Sequence, residues 1–154
     1  MAKFEYRMQN ILDVKLKMES QAKIAYGIAN TKLVEEQKKL QKLMVQRAGY
    51  EREARELVKG TIDVMKIKTC RQSVDTMKSL IRTQMMQVHA AEKNLEAARR
   101  QLNELMVERK THEKLKEKAF EEFKKEIQYS ENKEIDELVS YTYHDNEAEA
   151  ETLG

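Results

Sequence analysis

His89, His112 and His144 are the only three imidazoles in the chain, and so the first residues to consider for metal binding or proton transfer. A zinc-hydrolase helix places two histidines four residues apart on one face, in an HExxH frame. These three lie far apart, and no HExxH occurs. The glycine spacings that let a backbone approach phosphate, GxGxxG and GxxxxGK[ST], are missing, as is the GxSxG turn of a nucleophilic serine. Glutamates and lysines recur at close spacing and could in principle act as acid–base dyads. On a helix the same spacing gives solvated ion pairs that support the helix. Cys70 is the single cysteine, so no disulfide can form within the chain. The residues therefore predict no catalytic group, no cofactor and no metal site, and the expected role is binding other proteins.

The elements that carry these residues follow from composition. Of 154 residues, 40% are hydrophobic and 36% charged, with no proline, no tryptophan and four glycines. Mean hydropathy is -0.80. An ordinary globule is nearer 25% charged and more apolar. Sheet proteins need many turns, and turns draw on Gly and Pro. This composition suits long helices meeting along a narrow seam. Disorder also goes with high charge, but the net charge is only +2 and the apolar residues are periodic. The start MAKFEYRMQN lacks the apolar core of a signal peptide. No run approaches the roughly 20 apolar residues of a membrane span, so a cytoplasmic location is expected.

The second half holds the clearest pattern. Alternating steps of three and four from Val74 visit Met77, Ile81, Gln84, Val88, Ala91, Leu95, Ala98, Leu102, Leu105, Arg109, His112, Lys116, Ala119 and Phe123. Eleven of these fifteen positions are apolar, and the register outlasts the three or four heptads that mark a coiled coil. The first half is less regular. Phe4, Met8, Ile11, Met18, Ala22, Ala25 and Ala29 form a stripe broken by Lys15. It then shifts by one residue and continues through Leu33, Leu40, Met44 and Ala54 to Val58, as a four-residue insertion would cause. The small alanines predict a close helix approach.

Between the stripes, GTIDVMKIKTCRQS places the helix-breaking Gly60 beside β-branched residues. Gly60 is the expected C-cap, and Ser73 the candidate cap of the next helix. The fold expected is all-α, a long antiparallel two-helix coiled coil or helical hairpin. One helical-hairpin domain over residues 1–144 would hold helices over about 4–58 and 74–130, a connection over about 59–73 and a short helix over about 133–143. A single helix pairing with a second copy is the rival geometry. Residues 1–130 carry 28 basic and 19 acidic side chains, whereas residues 131–154 carry 1 and 8. A net +9 thus gives way to -7, and residues 145–154 are expected to be a disordered acidic tail. Acids and bases alternate along the basic part, with no basic block or interleaved aromatics, so nucleic acid is not an expected partner. Arg109 and His112 at seam positions fix register or mark the end of the coil. Met65, Met77, Met85 and Met86 gather near the expected tip. Met85 and Met86 cannot both enter one seam, so at least one is exposed, which suits an adaptable binding surface.

Two segments carry a family resemblance. FEYRMQNILDVKLKMESQAK near the start, and ERKTHEKLKEKAFEEFKKEIQYSENKEIDEL over residues 108–138 with its acidic pair Asp136 and Glu137, resemble the ends of the FliJ family of flagellar type III export proteins. The resemblance implies a coiled coil similar to the central stalk of rotary ATPases. It implies three partners: the hexameric flagellar export ATPase, the cytoplasmic domain of the membrane-embedded export-gate protein, and flagellar export chaperones. It also implies a place at the cytoplasmic face of the membrane, without a transmembrane segment. Carried over by layout, the ATPase-facing candidates are Lys3, Arg7, Lys15, Lys17, Arg109 and Lys110, and the gate-facing candidates are Tyr50, Met77, Ile81, Gln84 and Met85. A plain coiled-coil spacer or tether that homodimerises is the alternative.

Overall fold

The computed structural model describes residues 2–153. Two helices make up the fold, α1 over Gln9–Leu57 and α2 over Val64–Leu153, and the described residues contain no strand. The two helices pack together within each of two compact units. Unit 1 comprises Met1–Leu16 and Val107–Gly154, and unit 2 comprises Lys17–Met106.

In unit 2 the chain reverses over residues 58–63. Gly60 adopts φ +71°, the left-handed conformation that a side chain disfavours. The Lys59 N–H donates to the Glu56 carbonyl to close the last turn of α1. Asp63 opens α2: its Oδ1 accepts from the N–H groups of Met65 at 3.1 Å and Lys66 at 3.3 Å. This is side-chain capping of otherwise unpaired donors. The expected cap, Ser73, is instead inside the helix and donates to the Thr69 carbonyl. The connection is therefore shorter than the expected 59–73. The β-branched residues after Gly60 do not prevent a helix, because Ile67 and Cys70 lie on the seam and are covered there.

The α2 seam follows the sequence pattern closely. All fifteen positions from Val74 to Phe123 are buried or half-buried. On α1 the seam positions of unit 2 are Glu19, Ala22, Tyr26, Ala29, Leu33, Glu36, Leu40, Leu43, Arg47, Tyr50, Ala54 and Leu57, with Glu51 half-buried beside them. The seam positions alternate in steps of three and four throughout, so the expected four-residue insertion is absent. Met18 and Ala25, expected on the seam, are exposed, and charged Glu19 and Glu36 are buried in its place. Burial of a carboxylate requires partners, and Glu36 has them in Gln84, Lys32 and Lys39.

Unit 1 also departs from expectation at both ends of the chain. Residues 2–6 are not helical, so α1 starts later than the expected residue 4, at Gln9. Phe4 instead packs edge-on to Phe120 at 5.1 Å between ring centroids and lies 5.3 Å from Phe123. Leu12 is buried, and Lys15 pairs with Glu108 of α2 at 2.7 Å. At the other end, α2 continues to Leu153 as one helix. This replaces the expected break after residue 130, the separate helix over 133–143 and the disordered tail from 145. Every described residue from 131 onward is exposed. Met1 and Gly154, at the limits of the expected ranges, lie outside the described residues.

Candidate functional site

The residues expected to do work fall on two different kinds of surface. In unit 1, Lys3, Arg7 and Lys110 are exposed. Lys15 and Arg109 are half-buried and engaged, Lys15 with Glu108 and Arg109 with Glu113 at 2.9 Å. Lys17, in unit 2, is exposed. The basic residues of unit 1 therefore divide into Lys15, which bridges the helices, Arg109, which pairs along α2, and those that face solvent. His112 is half-buried, and its Nδ1 is buried without a hydrogen-bond partner, as is the Tyr6 hydroxyl. An imidazole in that setting is held by packing more than by a polar network.

In unit 2 the gate-facing candidates divide the same way. Ile81 is only 4% exposed and belongs to the core. Met77 is half-buried on the same row. Tyr50 is half-buried, and its carbonyl accepts a hydrogen bond from Cys70 Sγ at 3.1 Å. Gln84 is committed to the neighbouring helix: its amide donates to the Glu36 carboxylate and, at 2.9 Å, to the Glu36 carbonyl. Met85 is exposed, and so is Met86, whereas the sequence required only one of the two to be. Met85 is thus the gate-facing candidate with most surface to offer. Beside Tyr50, a groove of about 510 Å³ is lined by Glu53, Leu57, Met65, Lys66, Thr69, Cys70 and Ser73.

The electrostatics are those of a pairing surface. The hydrogen bond from Gln84, and after it the one from Lys32, holds the Glu36 carboxyl below its ordinary value. Hydrogen bonding by Arg99 does the same for Glu96, and Glu96 in turn raises Arg99. Burial pushes the Cys70 thiol up, with Glu53 adding to the effect, so the thiolate that would make it a nucleophile is disfavoured. Among the described residues, no group of three His, Cys, Asp or Glu side chains could hold a metal ion. No helix is long and apolar enough to cross a membrane.

Three functional features escaped the sequence reading. Glu19 and Glu36 were missed because the stripe was traced by apolarity; a strict alternation from Leu12 passes through both. Asp63 carries a capping signal one residue ahead of Val64, between the stronger helix-breaking Gly60 and the alternative cap Ser73. The aromatic cluster of Phe4, Phe120 and Phe123 joins distant residues and leaves no local pattern.

No curated protein and no solved structure matches the chain. The family described as Flagellar FliJ protein matches residues 4–148, a span that includes both segments with the resemblance and nearly all of α1 and α2. With that extent of the 154 residues matched, the chain belongs to the FliJ family of flagellar proteins.

Proposed function

We propose that the chain is a non-enzymatic component of the flagellar type III export apparatus. It binds the hexameric export ATPase in the manner of a central stalk and links it to the export gate and to export chaperones. The observation that carries this reading is the family match over residues 4–148. The paired helices support it, since they offer side chains for protein contact along their outer faces.

Within this reading, the exposed Lys3, Arg7 and Lys110 are the ATPase-facing residues of unit 1, with Lys17 a further basic candidate in unit 2. Lys15 supports them by pairing with Glu108 across the helices, and Arg109 by pairing with Glu113 along α2. Met85 makes the gate contact, with Tyr50 a second contact nearer the turn, while Met77, Ile81 and Gln84 hold the register beneath. Exposed basic residues act mainly on association rate, and salt weakens their effect. Each exposed pair contributes only about 0 to 1 kcal/mol, so no single substitution abolishes binding.

The test is a pull-down of the full chain with the hexameric export ATPase of the same cell, alongside association kinetics for Lys3→Glu/Lys110→Glu and for Met85→Asp. The terminal pair slows association and flattens its salt dependence, whereas Met85→Asp leaves ATPase binding intact. Failure of the unaltered chain to retain the ATPase overturns the reading. The alternative, a homodimeric spacer, predicts twice the chain mass by light scattering with no retention of the ATPase.

A further inference from the structure

The reversal between the helices presents an unusual surface for a chain this polar. Val58, Ile62, Val64 and Met65 are 54%, 59%, 71% and 68% exposed, although all four fall within eight residues of one another. Burial elsewhere in unit 2 is reserved for the seam, and none of the four belongs to it. They stand on the turn and on the first turn of α2, where the backbone folds back on itself, and Met65 also borders the groove beside Tyr50.

The charge around them is predominantly basic. Residues 55–71 contain five basic side chains, Arg55, Lys59, Lys66, Lys68 and Arg71, against two acidic ones, Glu56 and Asp63. Both acids are already committed. Glu56 pairs with Lys59 at 3.2 Å, and Asp63 accepts from two backbone N–H groups. Lys66, Lys68 and Arg71 make no ion pair among the described residues, and all three are exposed. The result is an apolar knuckle flanked by uncompensated cations.

We infer that the α1–α2 turn, through Val58, Ile62, Val64 and Met65 with Lys66, Lys68 and Arg71, seats on the surface of an anionic lipid bilayer. Exposure and charge both point to this occupant. Exposed apolar side chains on a turn gain by entering a soft interface that closes around them, and cationic neighbours gain from anionic headgroups. The depth is limited by the turn itself, because residues 58–63 lie outside both helices and their backbone groups need polar partners. Those groups find them at headgroup level and not in hydrocarbon. The contact is therefore interfacial and reversible. It stands apart from the export reading, since lipid binding requires no export protein.

The test is sedimentation of the full chain with vesicles of phosphatidylglycerol and phosphatidylethanolamine, compared with phosphatidylcholine vesicles. The chain partitions to the anionic vesicles and is released by high salt. Ile62→Asp and Met65→Asp each lower partitioning by about tenfold. Lys66→Gln/Lys68→Gln lowers it by about 25-fold, or roughly fivefold per charge. All these side chains are exposed, so far-UV circular dichroism stays that of the unaltered chain and a loss of binding is not a loss of fold. Absence of the chain from the anionic pellet, equal binding to phosphatidylcholine, or vesicle binding unchanged by the turn substitutions overturns the inference.

Discussion

Residues 64–127 and residues 131–153 belong to the same helix, yet they meet entirely different surroundings. In the first stretch a residue at every third or fourth step is covered by α1 or by the N-terminal segment; in the second every residue is exposed. Ile135, Leu138, Val139, Tyr141 and Tyr143 show that the second stretch is not short of apolar side chains. What it lacks is a facing helix. A helix without tertiary contacts is supported only by propensity, local pairs and the nucleus it inherits from the turn before it. The comparison separates helix formation, which needs only a helical predecessor, from stability, which needs burial.

The largest effect should therefore come from the covered stretch. Ile81→Ala removes a side chain buried to 4% exposure. It is expected to destabilise the fold by about 2 kcal/mol or more, measured by denaturant unfolding. A change near zero would mean that the seam does not hold the helices together.

An intermediate effect, set by pH, is expected at the seam's polar pair. The Glu36 carboxyl titrates below its ordinary value because the folded state favours the carboxylate. Its contribution is fully present above the ordinary carboxylate pKa and is lost as pH falls through the lowered one. Glu36→Gln should flatten the acid limb of a plot of melting temperature against pH and leave the neutral limb parallel to the unaltered protein. An acid limb of undiminished slope would place that titration in other carboxylates.

The smallest effect belongs to the exposed stretch. Deleting residues 131–154 should reduce helical ellipticity but change unfolding free energy by no more than about 0.5 kcal/mol. A larger loss of stability would show that the acidic segment docks elsewhere on the protein, and so would erase the contrast between the two parts of α2.

The same contrast governs how much could be read from residues alone. The α2 seam was legible because its core positions are mostly apolar and its four polar members fall in step with the rest. The α1 seam was not, because Glu19, Glu36 and Arg47 occupy covered positions while Met8, Ile11, Met18 and Ala25 lie outside. Apolarity marks a seam only where its polar members lack partners, and here Gln84, Lys32 and Lys39 supply them. The start of α2 was misplaced because β-branched propensity weighs less than the Asp63 cap and the cover given to Ile67 and Cys70. Beyond residue 130 the expected helix over 133–143 falls within α2, but its continuity with the preceding turns and its extension to Leu153 were out of reach of a periodicity argument, since nothing there is periodic against a partner. Of the site candidates, the sequence identified residues by type and layout. It could not separate Lys110, free on the surface, from Lys15, held by Glu108.

Cys70 gives the chain a clock of its own. The thiol is buried, its Sγ donates to the Tyr50 carbonyl across the helix pair, and its environment disfavours the thiolate. A thiol reagent can reach it only when the two helices part at that end, so the labelling rate counts those openings. Because no second cysteine exists to confuse the count, one reagent and one stopwatch suffice to show whether a bound partner grips the hairpin end shut or pries it open.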